Sequence, residues 1–217
     1  GPNGAGKTTV FNCITGFYTP TDGDIKFGGR SIAGVPPEQI CALGLTRTFQ
    51  NTELFSDMSV ADNVRLGMHR IVPYGLTAAV LRLPAACRAE QRISERVAEV
   101  LELVGLSDQN ATEARFLPFA KMRRLELARA LAAEPTMLLL DEPAAGLRAG
   151  EIEELNGGLR MLKDKLGMTI LLVDHVMPVV MGVSDRITVV NFGQKIAEGA
   201  PQEIRENPAV IAAYLGH

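Results

Sequence analysis

The chain begins Gly-Pro-Asn-Gly-Ala-Gly-Lys-Thr-Thr, and Gly1, Gly6, Lys7 and Thr8 satisfy the spacing G-x-x-x-x-G-K-[ST] without a mismatch. No other stretch limits the fold as tightly. Glycines at these positions let the backbone turn sharply and bring its N–H groups against phosphate oxygens. The lysine after the last glycine reaches further phosphate oxygens, and the next hydroxyl suits a hydrated Mg2+. Lys7–Thr15 reads as the following helix, whose positive end adds to the anion site. A plain turn gives no reason for Lys-Thr beside a glycine. Gly1, Asn3, Gly4, Ala5, Gly6, Lys7, Thr8 and Thr9 are therefore the candidate phosphate-binding residues. Such a loop hangs between a buried strand and its helix. The helix is here and the strand is not, so the chain is read as lacking the strands N-terminal to the loop.

The rest of the chain divides into stretches of distinct rhythm. Gly23–Ile32 reads as a hairpin around Gly28-Gly29. Val35–Gly44 reads as a helix entered through prolines, Leu45–Asn51 as a short strand, and Ser59–Met68 as a helix. In Arg92–Leu106, Ile93, Val97, Val100, Leu101 and Val104 share one helical face, with Gly105 as the stop. Thr136–Pro143 and Met168–His175 read as buried strands, separated by a helix over Glu151–Leu166 and followed by one to about Val183. Arg186–Gly199 is a hairpin turning at Asn191–Gln194, and Asn207-Pro208 opens a last helix. Strands alternating with helices mean an α/β fold with a largely parallel sheet and antiparallel β hairpins, into which the helical middle section is inserted.

Composition excludes several classes. A net charge of −3 gives no electrostatic case for nucleic-acid binding. No run of apolar residues approaches the roughly 18 needed for a membrane span. The cysteines, Cys13, Cys41 and Cys87, are odd in number and widely spaced. They read as small buried hydrophobes in a reducing compartment rather than a disulfide framework.

Two further stretches carry chemistry. "LLLDEP" delivers Asp141 and Glu142 at the C-terminal end of an apolar strand, where open α/β sheets bind ligands. An aspartate there can hold Mg2+ through water, and the adjacent glutamate can polarise an attacking water. His175 closes the next apolar strand.

The P-loop, "TFQN", "LPFAKMRRLELARALAAEP", "LLLDEPAAGL" and "TILLVDH" follow the order and spacing of ABC transporter nucleotide-binding subunits, a resemblance that covers essentially the whole chain. "RTFQNTELFSDMSVADNV" and the ending "NPAVIAAYLG" most resemble the ATP-binding subunits of branched-chain amino acid importers. The resemblance implies a P-loop NTPase (RecA-like) core over residues 1–217, with an α-helical subdomain at approximately 51–130 bearing the signature segment. It implies ATP and Mg2+ as cofactors. Thr8, Gln50 and Asp141 would serve the metal, Glu142 would be the catalytic base and His175 the switch histidine on the γ-phosphate. Leu117, Pro118, Phe119, Ala120 and Lys121 would form the signature segment facing the nucleotide of a second subunit. The implied partners are a second ATPase subunit, transmembrane permease subunits and, indirectly, a solute-binding protein. The implied location is peripheral, at the cytoplasmic face of the inner membrane. Motor subunits look alike whatever they move, so export of lipid or another solute stays open as an alternative, as does a subunit that binds nucleotide with weak hydrolysis.

The sequence departs from the family in one revealing way. The signature is usually Leu-Ser-Gly-Gly-Gln, and in this branch often Leu-Pro-Tyr-Gly-Gln. Ala120 stands where glycine is expected, Lys121 where glutamine is, Arg148 where asparagine or aspartate is, and Val176 where aspartate is common. An added Cβ restricts close approach and positive φ, and lysine is a differently shaped donor. Residues serving the chain's own nucleotide are intact, while those offered to a partner are altered. This pattern predicts an asymmetric pair with a different ATPase subunit.

Overall fold

The computed structural model describes residues 1–2, 4–48, 54–68 and 84–215. In chain order these form α1 (Lys7–Ile14), β1 (Lys26–Phe27), β2 (Arg30–Ser31), α2 (Pro37–Ala42), β3 (Leu45–Arg47), α3 (Val60–Gly67), α4 (Pro84–Leu103), α5 (Phe119–Ala132) and β4 (Met137–Asp141). There follow α6 (Ala149–Leu166), β5 (Thr169–Val173), α7 (Met177–Val183), β6 (Ile187–Asn191), β7 (Gln194–Gly199), α8 (Pro201–Glu206) and α9 (Pro208–Leu215). Two compact units result, one from Gly1–Arg47 with Leu139–His217 and one from Thr48–Leu138.

The first unit is built on a parallel sheet of order β3-β4-β5. Leu138, Leu139 and Leu140 of β4 are buried, as a strand covered on both faces requires. β5 departs from its expected burial: Thr169 is exposed and Ile170–Val173 are only half-buried. Among the described residues β5 is paired with β4 alone, and a cavity of about 1260 Å3 lies beside it, lined by Phe11, Ile170, Leu172, Ile187 and Val189 among others. An apolar run thus marks a strand of this sheet without marking its depth. β6 and β7 form a separate antiparallel hairpin turning at Phe192-Gly193, with an irregularity between Val189 and Val190. The β1–β2 hairpin is shorter than its sequence suggests, pairing Lys26 with Ser31 and Phe27 with Arg30.

α6 grips α7 through residues spaced to share one helix face. Asn156 Nδ2 donates to the Pro178 carbonyl at 3.2 Å, and Arg160 donates twice to the Gly182 carbonyl at 3.0 and 2.7 Å. Lys163 meets Asp185 at 2.5 Å. Asn207 opens α9 as expected, its Oδ1 accepting from the N–H groups of Ala209 and Val210. The cysteines differ from expectation: Cys13 and Cys41 are half-buried and Cys87 is exposed on the charged outer side of α4, so they are not buried hydrophobes.

The second unit is helical. α4 buries Ile93, Val97, Val100 and Leu101, with Val104 just beyond its end. α3 contributes Val60 and Val64, and α5 contributes Leu125, Ala128, Leu131 and Ala132. A Cβ at Gly67 would collide with the Arg129 carbonyl, so glycine lets α3 and α5 approach this closely. The chain before α3 runs beside residues 112–116, with Ala114 N–H donating to Met58 O at 3.0 Å and Arg115 N–H to Ser56 O at 3.1 Å. Asn63 pins this segment from inside α3. Fully buried, it accepts from Phe55 N–H at 2.9 Å and donates to the carbonyls of Phe55 and Ser59, each at 3.0 Å. Asn63→Ala leaves those groups unsatisfied and is expected to lower unfolding free energy by about 2–4 kcal/mol in urea titrations. Wild-type stability would contradict this account of the segment.

Candidate active site

The P-loop is shaped by two left-handed glycines, Gly4 at φ 76° and Gly6 at φ 96°. Gly6 sits at the N-cap of α1 and brings no side chain to cap the helix's first N–H groups, which suits that end to an anion. Ala5 is buried, its carbonyl accepting from Gly193 N–H at 3.0 Å, so the β6–β7 turn braces the loop. Lys7 Nζ donates to the carbonyls of Gly1 and Pro2 at 2.7 and 2.8 Å, lying across the loop. Thr8 and Thr9 are exposed. Asn3 lies outside the described residues.

Behind the loop is a buried ion pair. Arg47, at the end of β3, meets Asp141 Oδ2 at 2.6 Å, with both side chains under 10% exposed. The same guanidinium donates to Asn12 Oδ1 at 2.7 Å and Thr15 Oγ1 at 3.4 Å on the α1 side, and stands 5.4 Å from the Phe11 ring centre. One arginine thus joins the helix after the P-loop to the strand that carries Asp141. The sequence reading missed this role, since nothing local to "RTFQ" says that its arginine meets a residue 94 positions away.

Glu142 and His175 come together at the ends of β4 and β5. His175 Nδ1 lies 3.5 Å from Glu142 Oε1. Glu142 is left-handed at φ 48°, a costly conformation for a residue with a Cβ, and its N–H donates to the Val173 carbonyl at 2.7 Å. Asp174, also missed in the sequence, has a fully buried side chain. It accepts from the N–H groups of His175, Val176 and Ala144 at 2.7, 2.9 and 3.1 Å.

The donor set fits a magnesium nucleotide. Among the described residues no three His, Cys, Asp or Glu side chains form a cage that could hold a metal alone. Mg2+ needs no such cage, being held by one or two carboxylates together with phosphates and water. Thr8 and Asp141 are suited to that role, and Gln50 lies outside the described residues.

In the second unit, Leu117 is buried, Pro118 stands at the N-cap of α5, and Phe119, Ala120 and Lys121 form its first turn. Ala120 is helical there, a conformation alanine adopts without strain, so the backbone itself does not demand glycine. Lys121 Nζ lies 3.9 Å from Asp108, whose carboxyl is held below its usual range first by the Gln109 amide and then by this lysine. In the first unit, Arg148 precedes α6, and its N–H donates to Glu151 at 2.7 Å.

A family model described as ABC transporter matches residues 1–145. The chain belongs to the ABC transporter family. A second model, described as branched-chain amino acid ATP-binding cassette transporter, matches residues 194–217 of this ABC protein. Two curated relatives are high-affinity branched-chain amino acid transport ATP-binding proteins: LivG of Salmonella typhimurium, 48% identical, and BraF of Pseudomonas aeruginosa, 44% identical. Each alignment spans 100% of this chain and 85% of the relative. Among solved structures, the ADP conformation of an ATP-binding cassette of an ABC transporter superposes with a TM-score of 0.84 at 30% identity, covering 100% of this chain and 85% of that one. The expected P-loop NTPase fold, with parallel sheet and antiparallel hairpins, is borne out.

The ion pair of this ABC subunit yields a direct expectation. Arg47→Met strands the buried Asp141 carboxylate and is expected to cost about 3–5 kcal/mol of stability in chemical denaturation. A loss below about 1 kcal/mol, as at exposed pairs, would show that Asp141 does not depend on Arg47.

Proposed function

We propose that this chain is the ATP-binding and hydrolysing subunit of an ABC importer for branched-chain amino acids. The carrying observation is the placing of Glu142 and His175 within 3.5 Å of each other, one residue beyond the Asp141 that Arg47 ties to the P-loop helix. The likeness to LivG and BraF supports the solute class and favours import over lipid export.

The loop N–H groups and Lys7 would bind the phosphates. Thr8, Asp141 and Gln50 would hold a hydrated Mg2+, which supplies charge against the phosphate oxygens. Glu142 would orient a water and accept its proton, and His175 would donate to the γ-phosphate. Leu117–Lys121 would face the nucleotide of a second ATPase subunit, which we take to be a different chain. Transmembrane permease subunits and a solute-binding protein complete the partners, with this subunit peripheral at the cytoplasmic face of the membrane. No helix among the described residues is long and apolar enough to cross a membrane, which fits a subunit relying on permease partners to span it.

In the assembled transporter, Glu142→Gln is expected to lower turnover about 100-fold or more while Mg-ATP still binds, and Lys7→Ala to lose that binding. Wild-type turnover in Glu142→Gln would end this reading. Turnover should rise with a binding protein loaded with branched-chain amino acid. Restoring the signature with Ala120→Gly and Lys121→Gln is expected to raise turnover toward that of two working sites. Unchanged turnover would remove the asymmetric pairing and leave a symmetric or indifferent partner.

A further inference from the structure

Glu142 holds a conformation that should not persist unaided. A non-glycine residue at φ 48° is strained, and such strain survives only where the surroundings over-determine it. Two hydrogen bonds from the end of β5 do so here, one on each side of Pro143. The Val173 carbonyl accepts from Glu142 N–H, and Asp174 Oδ2 accepts from Ala144 N–H. The other carboxylate oxygen, Oδ1, turns back along its own chain and accepts from His175 N–H and Val176 N–H. This single buried side chain therefore touches both loops that carry chemistry. Its two oxygens divide the work, Oδ1 setting the loop of His175 and Oδ2 setting the loop of Glu142.

We infer that Asp174 is the positioning residue of the Glu142–His175 pair, locking the two loops in one relative placement. The inference rests on the reading of Glu142 and His175 as the hydrolytic pair. A carboxylate that merely closed an Asx turn would use Oδ1 alone; the bond from Ala144 sets Asp174 apart. His175 is about half exposed, with its Nδ1 3.5 Å from Glu142 Oε1 and 3.9 Å from Asp174 Oδ1. Its backbone is thus the part under control, and through it the point from which the imidazole reaches. α6 adds a second restraint on the same loop, because its grip on the Pro178 and Gly182 carbonyls fixes α7, which starts two residues after His175.

Asp174→Asn tests this with little change in volume. An asparagine whose oxygen keeps the bonds to His175 and Val176 presents its NH2 group to the Ala144 N–H, donor against donor, and the cross-loop bond is lost. In the assembled transporter, the variant is expected to lower kcat about 10–100-fold, the scale of an ångström's misplacement. KM for Mg-ATP should stay within about two-fold, because the P-loop is untouched. Two readouts separate positioning from general damage. Amide exchange at Ala144 should quicken in Asp174→Asn while exchange in β4 does not. In a His175→Ala background the same substitution should cost far less than in wild type, since the pair it serves is already broken. Unchanged kcat, or an equal loss in both backgrounds, would overturn the inference. Glu142→Gln run alongside separates the two levels. If it abolishes turnover while Asp174→Asn leaves kcat unchanged, only the positioning role fails; if it leaves turnover intact, the hydrolytic reading fails with it.

Discussion

Arg47 and Asp141 meet deep inside the first unit, and the arrangement of the site depends on that pair. A carboxylate taken out of water is costly unless it is paired and hydrogen-bonded. Here the partner is a guanidinium, whose planar set of donors serves several acceptors at once. It spends one nitrogen on Asp141 and another on Asn12 and Thr15 of the P-loop helix, while lying near the Phe11 ring. The carboxylate we propose for the metal and the helix we propose for the phosphates are therefore tied to each other. Two elements far apart in sequence, α1 and β4, share one electrostatic anchor supplied by the end of β3.

The strand ends then carry the site outward from this anchor. β4 leads from buried leucines through Asp141 to the strained Glu142, and β5 leads through buried Asp174 to half-exposed His175. Burial drops only past each strand, from Asp141 to Glu142 and from Asp174 to His175, so fixed groups give way to groups that can meet a ligand. The P-loop is held differently. Its glycines permit the turn, the β6–β7 turn braces it at Ala5, and Lys7 is satisfied by two backbone carbonyls of the loop itself. Those are contacts between a flexible cation and neutral acceptors, easily exchanged for phosphate oxygens. The site thus combines a rigid acidic frame with an exchangeable basic arm.

What could be read from the sequence followed from how local each signal was. The P-loop, "LLLDEP" and the strand before His175 are contiguous patterns whose chemistry and spacing lie within a few residues. The face of α4 and the Asn207 cap were legible for the same reason. Arg47 and Asp174 were not, because their meaning lies in partners brought near by the fold: Asp141 for one, the backbone of Ala144 for the other. An arginine before "TFQ" and an aspartate before a histidine carry no signal of their own. The depth of β5 was misjudged because burial depends on what stands beside a strand, and the apolar run Ile170–Val173 says only that it belongs in a sheet. The altered signature was legible as a departure, but its cost was not: Ala120 is at ease in a helical first turn, so any penalty must arise at the ligand and not in the fold.

On these contacts the acidic frame is set before nucleotide arrives, and binding rearranges only the basic arm. A crystal structure of the Glu142→Gln transporter with Mg-ATP tests it most directly. Lys7 Nζ is expected to leave the Gly1 and Pro2 carbonyls for phosphate oxygens while Arg47 keeps its bond to Asp141 Oδ2 and Asp174 keeps Ala144. A nucleotide bound away from the P-loop, or bound there with the Arg47–Asp141 pair broken, would contradict it.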